Sequence, residues 1–154
     1  MPERAFSRRD ALSTLLLPLA DRQLIVPDVA VAELIGYRLG VPAGVTAPWD
    51  LGDVPWRGRE LPLVSFEAAC GQTLPWGERV RIAVMHGVGD ALPFYALLMQ
   101  GIPRTLRVDS QLSYIDVPLA SLELAAVVAG NEVARVPDLD GLADIIMRGR
   151  FSSG

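Results

Sequence analysis

The chain has 154 residues, a length that suits one domain able to bury enough surface to fold without disulfides or metals. Its net charge of −4 argues against nonspecific nucleic-acid binding, which needs an excess of basic side chains. All fourteen basic residues are arginine, which excludes lysine chemistry such as a Schiff base or a P-loop phosphate contact. The single cysteine, Cys70, excludes an intrachain disulfide and a thiolate metal cluster.

The N-terminal region has part of the pattern of a twin-arginine export signal. The sequence SRRD at residues 7–10 precedes an apolar stretch, but that stretch is short, contains Pro18 and ends at Asp21. No apolar run approaches the roughly 18 residues that a membrane-spanning helix needs. We therefore expect a cytoplasmic protein without direct membrane insertion, in which residues 1–12 are disordered.

Short apolar runs separated by Gly and Pro predict a mainly β protein. The first two runs flank a four-residue polar turn and predict a hairpin, after which Asp28 caps one helical turn ending at Ala30. Residues 36–60 and 70–77 are rich in turn-forming residues and are predicted as loops. The predicted strands are residues 15–19, 24–26, 31–35, 61–66, 80–85, 94–102 and 133–136.

The last part of the chain has the spacing of an amphipathic helix. Leu139, Leu142 and Ile146 recur at helical intervals, with Asp138 or Asp140 as the N-cap. We expect this helix to end near Arg148. Residues 119–128 are harder to assign, because their composition favours a helix by propensity alone. Many short strands with one terminal helix indicate small β-barrels.

Cys70 and the lone histidine, His86, are the obvious candidates for catalysis. Asp90 would complete a nucleophile, base and carboxylate set. However, Cys70 has no charged residue within two positions in the sequence, and His86 ends an apolar strand. One histidine and one cysteine do not give the ligand spacing of a metal site. The glycines of GVG at residues 87–89 lack the third glycine of a dinucleotide fingerprint and indicate a hairpin loop.

Arg57 is the most informative polar residue. It lies in a turn-rich loop between Trp56 and Gly58 that leads into an apolar strand, and Trp49 lies earlier in the same loop. A structural interpretation pairs Arg57 with Glu60 or Asp53. The functional interpretation is a guanidinium that projects toward a partner, since Trp and Arg are enriched among interface residues that carry binding energy.

These motifs resemble the CheW family. The resemblance is carried by the sequences VAEL at residues 31–34, GDVPWRG at 52–58 and LPLVSF at 61–66. CheW proteins have Val-x-Glu-Ile, Gly-Val-x-Asn-Leu-Arg-Gly and Ile-x-Pro-Ile-x-Asp-Leu at the corresponding places. The second half is also similar, and the resemblance covers roughly residues 13–147.

The resemblance implies a fold of two five-stranded SH3-like β-barrels with a C-terminal helix, intertwined in one domain over residues 13–147 and followed by a tail at 148–154. It implies a non-catalytic adaptor in two-component signal transduction, without a cofactor. Its partners would be the regulatory domain of a CheA-type histidine kinase and the cytoplasmic tip of a methyl-accepting chemoreceptor. The implied protein-interaction residues are Val31, Glu33, Gly52, Trp56, Arg57 and Gly58.

The chain departs from the CheW pattern at a few positions. Pro55 and Trp56 replace the Asn-Leu pair before the Arg-Gly motif, and Ser65 and Gln100 replace acidic residues. The Trp-Arg-Gly form, together with FYALL at residues 94–98 and GIPR at 101–104, is most similar to the ChpC and PilI group. These are CheW-like proteins of the chemosensory system that controls type IV pili and twitching motility. Two alternatives stay open at this stage: a small cysteine hydrolase that uses Cys70 and His86, and a stand-alone ligand-sensing β-barrel.

Overall fold

The computed structural model describes residues 12–37, 47–72, 80–108, 113–129 and 131–151. The first part of the chain contains β1 (Leu12–Pro18), β2 (Gln23–Pro27), a 3₁₀ turn (Asp28–Ala30), β3 (Val31–Gly36), β4 (Asp50–Trp56), β5 (Arg59–Val64) and α1 (Phe66–Ala69). The second part contains β6 (Val80–Val88), β7 (Leu92–Gln100), β8 (Arg104–Val108), β9 (Ser113–Ile115), β10 (Glu123–Ala129), β11 (Glu132–Pro137) and α2 (Leu139–Phe151).

The strands form two sheets. One has six strands in the order β8-β1-β2-β11-β10-β9, and the other has five in the order β3-β6-β7-β5-β4. The predicted fold class is confirmed, since the chain is mainly β with two sheets and a C-terminal helix. Among the described strands, no main-chain pairing joins the two edge strands of either sheet. Each sheet is therefore open, where closed five-stranded barrels were expected.

The β1–β2 hairpin is apolar on both faces because each face packs on a different cluster. Leu16 and Ile25 pair across the hairpin and pack with Val127 of the six-stranded sheet. Leu17 and Leu24, the next pair along, lie in the core between the sheets. A strand buried on both faces has a continuous apolar sequence, as here, because alternation would place polar side chains inside.

The interior of the five-stranded sheet is filled by apolar side chains. This cluster is fully buried or nearly so and consists of Val54, Trp56, Leu61, Leu63, Ile82, Val84, Ala96 and Leu98. A second cluster joins the two sheets and α2, with Trp49, Phe66 and Leu142 among its members. Packed side chains in these positions argue against the ligand-sensing alternative, which would need an open interior.

Helix α2 begins where the sequence predicts. Of the two candidate caps, Asp138 is the N-cap, because its Oδ1 accepts a hydrogen bond of 2.9 Å from the Gly141 backbone N–H. The helix ends at Phe151, three residues beyond the expected end, so residues 148–151 of the expected tail are helical. Arg148 and Arg150 lie in its last turn, where positive charge is favourable.

The prediction of a loop over residues 36–60 was wrong for its second half, which contains β4 and the start of β5. Gly52 and Pro55 suggested a loop, but β4 is an edge strand, where a glycine bulge and a proline are tolerated. Residues 123–129 form a strand despite their helical propensity. Phe66 begins α1 rather than ending a strand, because the Ser65 hydroxyl accepts the Ala68 N–H at 3.2 Å as an N-cap.

Two more differences concern strand assignment. The predicted hairpin loop at 87–89 is shorter than expected, since β6 continues to Val88. Strands β8 and β9 were not predicted. The predictions for residues 1–11 and for most of the loops at 36–46 and 73–77 lie outside the described residues. Within the described residues, no helix is long and apolar enough to cross a membrane.

Candidate protein-interaction site

Arg57 and Gly58 form the two-residue turn of the β4–β5 hairpin. Trp56 pairs with Arg59 across the turn, and the φ angles of Arg57 and Gly58 are 49° and 76°. Positive φ at both central residues defines a type I′ turn, which matches the twist of the flanking strands. Glycine suits the second position, whereas an arginine in the left-handed region costs about 1–2 kcal/mol. Backbone strain of this kind is found at functional sites.

The side chain of Glu33, on β3, binds this turn through hydrogen bonds. Its Oε1 accepts hydrogen bonds from Trp56 Nε1 at 3.0 Å, Arg57 Nε at 3.1 Å and the second terminal nitrogen of Arg57 at 2.9 Å. β3 and β4 are the two edge strands of the five-stranded sheet. The contact therefore bridges the two open edges of that sheet through side chains.

Arginine and aromatic side chains stack beside this bridge. The guanidinium carbon of Arg57 lies 5.2 Å from the ring centroid of Trp56, and that of Arg59 lies 5.1 Å from the ring of Phe94. The rings of Trp56 and Phe94 are 4.9 Å apart, and His86 lies 5.3 Å from Phe94. The stack holds two guanidinium groups in defined positions at the surface.

The guanidinium of Arg57 remains open to solvent. Its side chain is 69% exposed, and that of Glu33 is 37% exposed. The exposed ion pair contributes about 0–1 kcal/mol to stability and the stack on Trp56 about 0.5–1 kcal/mol, which together only offset the backbone cost of an arginine at this φ. Stability alone therefore does not explain an arginine in this turn.

The six residues expected at the interface are not all in one place. Glu33, Trp56, Arg57 and Gly58 lie together at the turn. Gly52 is four residues earlier on β4, about 13 Å from Trp56 by strand rise, and is buried at a bulge with φ of 100°. Val31 is a half-buried residue that pairs with Met85 and packs on the core between the sheets.

The observed partner of Arg57 differs from the partners expected under the structural interpretation. Arg57 binds Glu33 rather than Glu60 or Asp53. Asp53 instead pairs with Arg150 of α2 at 2.6 Å. The Glu33 contact joins positions 24 residues apart and depends on how the sheet curves, which the sequence does not indicate. Phe94 and Arg150 also carried no signal in the sequence.

The structure does not assemble a cysteine hydrolase. Cys70 is the C-cap of α1, and its sulfur lies 3.9 Å from a terminal nitrogen of Arg22. Burial raises the pKa of the Cys70 thiol, which disfavours the nucleophilic thiolate. His86 instead stacks on Phe94. Within the described residues, no hydrogen bond joins Cys70 to His86, and no group of three His, Cys, Asp or Glu side chains could hold a metal ion.

Cys70 borders a polar cleft of about 430 Å³ near the β1–β2 turn. The buried carboxylate of Glu123 dominates its wall, accepting from Arg22 at 2.6 Å and from Arg135 at 3.0 Å. Burial opposes the charge of Arg22, but hydrogen bonds to Asp21 and Glu123 outweigh it and raise the pKa of the guanidinium. These charges satisfy one another, so the cleft is a structural ion-pair network.

Of the comparisons with known proteins, the one with solved structures found a similarity. No family model matches the sequence, and no curated protein matches it. Among solved structures, the chain is similar to the scaffolding protein TtCheW from Thermoanaerobacter tengcongensis, with a TM-score of 0.73 and 13% sequence identity. The match covers 86% of this chain and 88% of that one. The chain therefore has the fold of a CheW scaffolding protein.

Proposed function

We propose that this chain is a non-catalytic adaptor of a chemosensory pathway. It couples the cytoplasmic tip of a methyl-accepting chemoreceptor to the regulatory domain of a CheA-type histidine kinase, and it acts in the cytoplasm. The finer assignment, to a pathway that controls type IV pili and twitching motility, rests on the Trp-Arg-Gly form of the turn at residues 56–58.

The observation that carries this proposal is the Arg57 turn on a scaffold-type fold. The fold likeness to TtCheW extends over 86% of the chain, and the turn presents a largely exposed guanidinium held by Glu33 and Trp56. A guanidinium held in place loses less side-chain entropy on binding than a free one and can donate two parallel hydrogen bonds to a carboxylate. Such a group suits an interface and performs no reaction by itself.

The six predicted contact residues have two roles in this proposal. Glu33, Trp56, Arg57 and Gly58 form the contact surface, and Val31 contributes indirectly by packing β3 on the core between the sheets. Gly52 contributes indirectly, because its left-handed backbone permits the bulge that shapes β4.

The test is binding of the purified chain to a receptor-tip fragment and to a kinase regulatory domain from the same genome. We expect Arg57→Ala to weaken binding to one of them by roughly 30-fold, as for a desolvated interface arginine worth about 2 kcal/mol. Arg148→Ala is the matched control, since Arg148 is 70% exposed and pairs with Asp144 on α2. Equal binding by wild type and Arg57→Ala would refute the proposal that Arg57 contacts the partner.

The pathway assignment needs a separate measurement in cells. Deleting the gene should abolish twitching motility if the pathway controls type IV pili, and the Arg57→Ala protein should not restore it. Normal twitching with lost swimming chemotaxis would instead assign the adaptor to a flagellar pathway. The coupling function would survive that outcome.

A further inference from the structure

The last turn of α2 binds a bulge in the edge strand β4 through one arginine. Arg150 donates to Asp50 through Nε at 2.5 Å and through a terminal nitrogen at 2.7 Å. It also donates to Asp53 at 2.6 Å and to the Gly52 carbonyl at 3.1 Å. We refer to Arg150 with Asp50, Gly52 and Asp53 as the C-terminal clamp. All of its partners belong to the bulge.

The clamp is largely removed from solvent. The side chain of Arg150 is 12% exposed, and that of Asp50 is 1% exposed. Burial opposes the charged guanidinium, but hydrogen bonds to Asp50 and Asp53 outweigh it and raise the pKa of Arg150. A buried bidentate pair of this kind has a defined geometry, unlike an exposed pair that samples many arrangements.

The residue before Arg150 fixes how closely the helix approaches β4. A Cβ at Gly149 would lie 2.5 Å from Cζ2 of Trp49, so only glycine fits against the buried indole. Two consecutive helix residues, Gly149 and Arg150, therefore lie against two consecutive residues, Trp49 just before β4 and Asp50 at its start. The helix end is docked on this strand by both packing and charge.

The bulge decides which side chains of β4 point inward. Asp50 pairs with Val64 and Asp53 with Pro62, so three steps on β4 oppose two on β5. After the bulge, Val54 and Trp56 are buried while Pro55 is exposed. Because side chains alternate along a strand, losing the extra residue would shift β4 by one position and exchange these faces. The Trp56 indole would then no longer reach Glu33.

From this geometry we infer that Arg150 is a positioning residue for the Arg57 turn. By fixing the bulge at Gly52, it holds β4 in the register that places the Trp56 indole on Glu33 and leaves Arg57 exposed beside it. The positioning itself follows from contacts within this chain. Its consequence for binding rests on the proposed function.

Indole N–H signals in a nitrogen-15 NMR spectrum test the coupling directly. The chain has three tryptophans, whose signals single Trp→Phe variants assign. Trp49 reports on the helix contact, and Trp56 reports on the far end of β4. In Arg150→Gln we expect exchange of the Trp56 indole proton with solvent to accelerate about tenfold, because local opening of the strand becomes easier. Arg148→Gln, on the same helix, is the control and should leave both signals unchanged.

The outcomes separate positioning from simple loss of a contact. A changed Trp49 signal with unchanged Trp56 exchange in Arg150→Gln would overturn the inference, because the clamp would then act only locally. If Arg150→Gln does not fold, Asp53→Ala removes one of the four hydrogen bonds and uses the same readout. Unchanged Trp56 exchange in that variant, with a changed Trp49 signal, would also overturn it.

Partner binding then distinguishes this inference from the proposed function. Arg150→Gln should weaken binding to the partner that Arg57→Ala affects, and by a smaller factor, since the guanidinium of Arg57 is still present. If Arg57→Ala binds normally, the proposed function fails while the Trp56 exchange result still decides the positioning role. If Arg57→Ala loses binding and Arg150→Gln does not, positioning has no functional consequence.

Discussion

Replacing Arg57 with asparagine or alanine separates the backbone contribution of this position from that of its side chain. Both replacements remove the Glu33 ion pair and the stack on Trp56. The two variants differ mainly in how well they tolerate a φ of 49°. Asparagine adopts the left-handed region readily, whereas alanine carries a penalty of about 1 kcal/mol or more.

We therefore expect Arg57→Asn to be more stable than Arg57→Ala by about 1 kcal/mol, or roughly 2–4 °C in melting temperature for a chain of this size. Relative to wild type, the lost ion pair costs about 0–1 kcal/mol and the lost stack about 0.5–1 kcal/mol. Relief of strain offsets these losses in the asparagine variant, which should unfold close to the wild-type midpoint.

Urea unfolding followed by tryptophan fluorescence measures the difference between the variants. Partner binding should be weakened to the same extent in both, because neither carries a guanidinium. If Arg57→Ala were as stable as Arg57→Asn, the claim that the turn is strained would be refuted. Full binding by the asparagine variant would refute the claim that the side chain makes the contact.

Three further predictions follow from single positions. Among the described residues, the Tyr95 hydroxyl is the buried side-chain group without a hydrogen-bond partner, so Tyr95→Phe should be at least as stable as wild type. A decrease of more than about 1 kcal/mol in the free energy of unfolding would reveal a partner such as bound water. A Cβ at Gly87 would lie 1.9 Å from the Leu92 carbonyl oxygen, so Gly87→Ala should lower stability by about 1–3 kcal/mol or more, whereas Gly36→Ala, which meets open space, should not. Because burial raises the pKa of Cys70, iodoacetamide at pH 8 should alkylate the native chain more slowly than the urea-unfolded chain, and equal rates would contradict this.

Local sequence patterns were sufficient for elements stabilised by local chemistry. The β1–β2 hairpin follows from two apolar runs around a polar turn, and α2 follows from its period and from Asp138. Strand β4 was missed because Gly52 and Pro55 disfavour a central strand, and its position at a sheet edge depends on the whole topology. The same holds for β10, where pairing with two neighbours overrides helical propensity.

In the candidate site, too, the local features were predictable from the sequence and the long-range contacts were not. The sequence identified Arg57 as the tip of a turn, because Arg-Gly between two apolar segments is a local signal. Its contact with Glu33 could not be inferred, since the two side chains meet only after the sheet has curved. The clamp was missed for a similar reason, because Arg150 and Asp50 are 100 residues apart and each is an ordinary charged residue in sequence.

The order of strands in the two sheets has a consequence for how the chain is made. The five-stranded sheet uses only residues between Val31 and Gln100, so it can form as soon as that segment has left the ribosome. The β1–β2 hairpin is synthesised first, yet its neighbours β8 and β11 both emerge after the last strand of the five-stranded sheet. Long-range pairing of this kind is slow, and until it occurs the apolar faces of the hairpin are uncovered. We expect pulsed hydrogen exchange during refolding to protect β6 and β7 before β1 and β2, which makes the N-terminal hairpin the segment most exposed to aggregation during synthesis.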